Sequence, residues 1–179
     1  LEVGEYPYAA LTDLFERAEA RREPLFVLLL DALQDPQNLG TLLRTAEAVG
    51  VHGVVIPLAR AAQVTPAVVN ASSGASEHLL IARANLHQAI EALKDAGAWV
   101  VGLDQGEQAQ GPGAIRLDGA LGLVVGSEGR GMRPLVRRSC DLLLRLPMRG
   151  RVESLNAAVA GSVALYLAYL QRHQTDQEN

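Results

Sequence analysis

The sequence predicts an α/β fold, a mostly parallel sheet covered by helices on both faces. Two observations carry this. Short runs of Leu, Val and Ile alternate along the chain with segments of helical periodicity. The first of those runs, LFVLLLD at 25–31, is continuously apolar, as a strand buried on both faces must be. Hydrophobic residues make up 49% of the 179 but aromatics only 4%, so the core has to be built from Leu, Val, Ile and Ala. A chain of this length suits one domain, able to bury roughly 70% of its unfolded surface.

In order, Leu11, Leu14, Phe15 and Ala18 place an amphipathic helix over residues 8–21, which Glu23 and Pro24 break. The strand at 25–31 is followed by the loop QDPQN and a helix from Leu39 to Val49, ended by Gly50. Here Asn38 is the natural N-cap. A strand is expected at 53–58, a helix at 65–72, a short strand at 78–82 and a helix at 86–97 with a glycine terminator. The strand WVVGLD at 99–104 leads into a Gly- and Gln-rich loop reaching to about residue 113. The last third repeats the alternation: a strand at 120–126, a glycine loop, a helix at 133–139, a strand at 142–148 and a long helix from 154 to about 172. Leu155, Val159, Val163, Tyr166 and Leu170 form one stripe of that helix and are expected to face the core. The domain is read as 25–173, with 1–24 a helix or linker and 174–179 a frayed tail. Beginning at Leu1 rather than Met, the chain is expected to be a trimmed or processed piece.

The bulk numbers exclude several classes. The apolar runs are too short to cross a bilayer, and no signal peptide opens the chain. Cys140 is the only cysteine, so internal disulfides and multi-cysteine zinc sites are excluded, and a cytoplasmic setting follows. The four histidines show no ligand spacing, so no catalytic metal is expected. Of the 16 basic residues Lys94 is the only Lys, leaving 15 Arg, which suit phosphate recognition. The net charge of −4 points the other way, because a basic face is the usual footprint of a nucleic-acid binder.

Ligands of doubly wound sheets bind beyond the carboxyl ends of the strands, and three polar clusters leave strand ends here. The first, Asp35-Pro36-Gln37-Asn38-Leu39-Gly40, runs into a helix carrying Arg44, Thr45 and Ala46. Arg44 reads either as a snorkelling surface residue or as a phosphate clamp. The second is Gly126-Ser127-Glu128-Gly129-Arg130-Gly131. Its glycines permit positive φ and close approach of backbone to a ligand, or simply a tight turn. The order is neither GxGxxG nor GxxxxGK[ST], so neither a dinucleotide fingerprint nor a P-loop is present. The third is Glu153-Ser154-Leu155-Asn156, where Ser154 is a natural N-cap and Asn156 stands in the first turn. No Ser-His-Asp set or carboxylate pair suggests hydrolysis.

Taken together, N-x-G-x-x-x-R-T-A from Asn38, G-S-E-G-R-G from Gly126 and L-P-M…S-L-N from Leu146 to Asn156 resemble the three motifs of the SpoU (TrmH) family of SPOUT methyltransferases. The resemblance runs from about Leu25 to Leu170. It implies a C-terminal deep trefoil knot, S-adenosyl-L-methionine held bent within it, and a homodimer in which one subunit's first motif faces the other's cofactor. The implied reaction methylates a ribose 2′-hydroxyl of RNA, ribosomal in preference to transfer RNA. Carried over by motif, Gly126, Leu146 and Leu155 contact the cofactor and Gly129 and Gly131 shape its loop. Asn38, Arg44, Glu128, Ser154 and Asn156 line the methyl-transfer site. Two positions depart from the family pattern: Ala158 stands where a second hydroxyl is common, and Glu153 where small residues are common. Many relatives also carry a small N-terminal RNA-binding domain, which residues 1–24 are too few to form. The competing readings are a non-catalytic RNA-binding or assembly protein of the same fold, a SPOUT enzyme that methylates a base, and an ordinary nucleotide-binding enzyme.

Overall fold

The computed structural model describes residues 4–174. The tail expected to fray at 174–179 lies, but for its first residue, outside them. Six strands make one sheet: β1 (Phe26–Asp31), β2 (Gly53–Ile56), β3 (Ile81–Arg83), β4 (Trp99–Leu103), β5 (Leu121–Gly126) and β6 (Leu142–Leu144). All pairings are parallel, in the order β3-β2-β1-β5-β4-β6. The predicted α/β class holds.

Among the described residues the α-helices are α1 (Leu11–Arg21), α2 (Pro36–Ala48), α3 (Pro66–Ala71), α4 (Leu86–Asp95), α5 (Pro134–Ser139) and α6 (Ala157–Gln174). Alternate residues of β1 divide the core between them. Phe26, Leu28 and Leu30 pack with α2, α3 and α6, while Val27 and Leu29 pack with α1, α4 and α5. Leu14 of α1 is fully buried, and a Cβ on Gly53 would lie 2.2 Å from it, so α1 sits directly on β2. Ala9 extends the far edge of the sheet by bridging to Ala82. No helix among the described residues is long and apolar enough to cross a membrane.

Several boundaries differ from expectation for local reasons. The second strand stops at Ile56 because Pro57 has no N–H to give a ladder. The third begins at Ile81 rather than 78, after a 3₁₀ turn at Ala75–Glu77. The sixth ends at Leu144, where Gln110 of the β4–β5 connection takes over the pairing. That connection crosses the α6 face: Ile115 and Leu117 join the same apolar cluster as Leu165. Gln171 accepts from the Leu117 N–H and donates to the Ile115 carbonyl.

The correction with the largest consequence concerns α6. Ala158, Gly161, Ala164, Leu165 and Ala168 face the core, whereas the predicted core stripe of Leu155, Val159, Val163, Tyr166 and Leu170 is exposed. The small residues let α6 approach closely: a Cβ on Gly161 would lie 2.6 Å from Leu42 of α2. Thr45 Oγ1 and Ser162 Oγ, 2.8 Å apart, join the same two helices.

One buried histidine makes stability depend on pH. His52 Nδ1 accepts from the Phe26 N–H at 2.9 Å, so the ring is neutral there and Nε2 donates to Glu23 at 2.8 Å. Burial pushes its pKa below the ordinary value, and the nearby Glu23 only partly opposes this. The unfolded chain takes up the proton near pH 6.5 and the folded chain resists it. The stabilisation is therefore complete above about pH 6.5 and is lost as pH falls below it. Urea midpoints should decline between about pH 7 and 5.5, and His52→Gln should flatten that decline.

Candidate active site

Asp35 caps α2 by accepting from the Gln37 N–H at 2.8 Å, and Pro36 occupies the first helical position. Asn38 is therefore inside the first turn and is not the cap. It is buried, with its amide reaching Asp35 at 3.4 Å. Likewise Ser154 does not cap α6. Asn156 does, its Oδ1 accepting from the N–H groups of Ala158 at 2.9 Å and Val159 at 3.2 Å.

With its oxygen committed to the helix, the Asn156 amide nitrogen points outward. It donates to Asn38 Oδ1 at 3.2 Å and to Glu128 Oε1 at 3.1 Å. One residue from each cluster thus meets at a single polar junction, across 118 and 28 positions of sequence.

The glycine loop is closed by its own backbone. Ser127 and Gly131 exchange N–H···O bonds of 3.1 and 2.9 Å, with Gly129 and Gly131 at φ of +72° and +66°. These left-handed values are where glycine is needed. At Gly126 the need is room: a Cβ there would lie 2.2 Å from the Gly131 carbonyl carbon and 2.3 Å from the Met132 nitrogen.

Behind the junction lies a cavity of about 620 Å³. Its walls include Gly126, Glu128, Gly129, Gly131, Leu146, Ser154, Leu155 and Asn156, eight of the ten predicted site residues. Asn38 borders the neighbouring cleft and reaches the cavity through Asn156. Arg44 is not brought in. Six residues beyond Asn38 at about 100° each, it lies about 120° round the helix. It is exposed and makes no hydrogen bond or ion pair among the described residues.

Sequence reasoning missed two ion pairs that hold the site. Asp31, fully buried at the end of β1, accepts from the backbone N–H and from Nε of Arg133, both at 2.7 Å. This ties the glycine loop to the sheet. Asp104 pairs with Arg137 at 3.2 Å and accepts from the Gly106 N–H, shaping the opposite wall. The signal available was Asp31 itself, a carboxylate closing a run of apolar strand residues. Cys140 takes no part as a nucleophile, since burial pushes its thiol up to about 12.

The cavity combines apolar walls (Leu103, Val125, Leu144, Leu146, Leu155) with glycine backbone and a few polar groups, Asp104 and Gln105 among them. That donor set fits a nucleoside-like cofactor, with apolar surface for a base and polar groups for hydroxyls.

Comparisons with known proteins point to one family. The model of the SpoU rRNA Methylase family matches residues 25–166. A Bacillus subtilis relative, YacO, carries the name of a TrmH family tRNA/rRNA methyltransferase. It is 47% identical over 175 residues, spanning 96% of this chain and 69% of its own. The SpoU methyltransferase AviRb of Streptomyces viridochromogenes, solved in complex with the cofactor AdoMet, is 32% identical. It superimposes with a TM-score of 0.75 over 84% of this chain and 62% of its own. A solved RNA 2′-O ribose methyltransferase is 25% identical with a TM-score of 0.73, over 95% of this chain and 60% of its own. The chain thus spans about three fifths of the length of these two solved relatives.

Proposed function

The chain belongs to the SpoU rRNA Methylase family, and on that premise we propose that it methylates a ribose 2′-hydroxyl of RNA from S-adenosylmethionine. The observation that carries the reading is the three-way junction of Asn38, Glu128 and Asn156 at the mouth of the cavity. The solved relative named for 2′-O ribose methylation supports ribose over base. Ribosomal RNA is the preferred substrate, with transfer RNA second.

The bound cofactor supplies an electrophilic methyl group. Leu146, Leu155 and the backbone of Gly126 hold it, while Gly129 and Gly131 keep the loop shaped around it. Asn38 and Asn156 orient the ribose, and Ser154 lines the approach. Glu128 fixes the Asn156 amide, so the junction is set before substrate arrives and positioning does most of the work. Arg44 is a poor base because its guanidinium stays protonated. Its part is to clamp a neighbouring phosphate and stabilise negative charge growing on the ribose oxygen, whose proton leaves to a phosphate oxygen or water.

Arg44 turns away from its own cavity, which supports a homodimer in which it serves the partner's. Its neighbour Thr45 meets Ser162 of α6, adjacent to Val163 in the exposed apolar stripe. A second copy covering that stripe would pack beside the helix that carries Arg44. Val163→Asp should shift the protein to monomer in sedimentation velocity while leaving its circular dichroism unchanged. The crossing of α6 by the β4–β5 connection likewise supports the threaded, knotted C-terminus.

The deciding experiment incubates the protein with methyl-labelled S-adenosylmethionine and unmodified ribosomal and transfer RNA transcripts, followed by alkaline hydrolysis. Ribose methylation blocks cleavage of the adjacent phosphodiester, so label should appear in alkali-resistant dinucleotides. Label in mononucleotides would mean base methylation. Cofactor binding without transfer would favour the non-catalytic RNA-binding reading.

A further inference from the structure

Beside the cofactor cavity runs a second cleft of about 710 Å³, sharing Ser127, Glu128 and Gly131 with it. Its walls include the β1–α2 loop, Arg60 beyond β2, Arg130 of the glycine loop and Arg133 just before α5. The carboxylates along it are already engaged. Asp35 accepts from Gln37 and Asn38, and Glu128 from Asn156. Arg133 is neutralised by Asp31. The guanidinium groups of Arg60 and Arg130 have no hydrogen-bond or ion-pair partner among the described residues. Two free cations therefore face one cleft in a protein of net charge −4.

The backbone at Arg60 is fixed by its surroundings. It is left-handed, at φ +58°, a conformation that non-glycine residues avoid. Its loop is pinned to the opposite wall, with Gln34 donating to the Arg60 carbonyl and Ala62 N–H to the Leu33 carbonyl.

We propose that this cleft binds the sugar-phosphate backbone of single-stranded RNA, with Arg60 and Arg130 each contacting a phosphate next to the methylated nucleotide. The inference rests on the reading of the substrate as RNA. It adds the path of the strand: from the Asn38–Asn156–Glu128 junction, away from the cofactor, between the β1–α2 loop and the glycine loop. Planar guanidinium forks match phosphate oxygens in pairs, and Arg60 and Arg130 are the charged donors along the cleft with no partner in the chain among the described residues.

The test uses the 179-residue chain with saturating S-adenosylmethionine and a fluorescein-labelled twelve-nucleotide oligouridylate, followed by anisotropy over about 50 to 200 mM potassium chloride. The double variant Arg60→Gln/Arg130→Gln should bind at least about tenfold more weakly at low salt. Its slope of log K against log salt should be shallower by about 1.4, at roughly 0.7 per lost phosphate contact on a single strand. A methylphosphonate analogue, uncharged along its backbone, should bind wild type no better than the double variant binds the natural oligonucleotide. Unchanged affinity and slope in the double variant, with cofactor binding intact by calorimetry, would overturn the cleft while leaving methyl transfer standing. Absence of cofactor binding in wild type would overturn the parent reading and this inference with it.

Discussion

Replacing Gly126 with valine is expected to abolish S-adenosylmethionine binding and to lower the melting temperature by roughly 10 °C. The atoms a side chain would strike are the Gly131 carbonyl carbon at 2.2 Å and the Met132 nitrogen at 2.3 Å, both backbone. No flexible side-chain end can swing aside. The paired Ser127–Gly131 hydrogen bonds must open, and with them the buried Asp31–Arg133 link two residues on. Overpacking of this kind costs about 3 kcal/mol, which for a domain of this size is roughly 6 to 12 °C. Gly119→Ala, where nothing lies within 4 Å, is the matched control and should melt like wild type. A Gly126→Val protein that melts normally and still binds cofactor would refute the close-approach role of the loop.

Arg44→Lys should reduce kcat by about 100-fold or more while leaving cofactor affinity and melting temperature unchanged. Removing one preorganised donor from a transition state commonly costs this much, and lysine cannot reproduce the bidentate fork. Stability should hold because Arg44 is exposed and makes no bond within the chain among the described residues. Single-turnover methylation with calorimetry in parallel separates the two effects. Near-normal turnover in this variant would eliminate the clamp. A loss in cofactor affinity would instead place Arg44 in the binding site.

Much of this was legible in the sequence, because strands buried on both faces must be continuously apolar and LFVLLLD and ALGLVVG are. The three clusters were legible for the same geometric reason: each follows the carboxyl end of a strand. What failed were questions of direction. Helical spacing identifies an apolar stripe on α6 but not its partner, and that helix is apolar nearly all round. The buried face is the one on which Gly161 allows close approach to Leu42 of α2, with three alanines and Leu165 beside it. Asn38 was misplaced as a cap because Asp35-Pro36, a stronger start signal, was read as loop. Asp31 stood out at the end of its apolar run, but its partner Arg133 did not, since nothing local relates residues 102 positions apart.

Those long separations set an order of events for the newly made chain. Asn156 must cap α6 and meet Asn38 across 118 positions, and Arg133 must reach Asp31 across 102. Closing such loops is slow relative to forming helices. The β1–α2 half can therefore collapse early, but the ligand site comes into being only when α6 docks. Cofactor uptake is for this reason a clock for the final folding step: stopped-flow refolding should show the gain of helical signal well before any gain of S-adenosylmethionine binding.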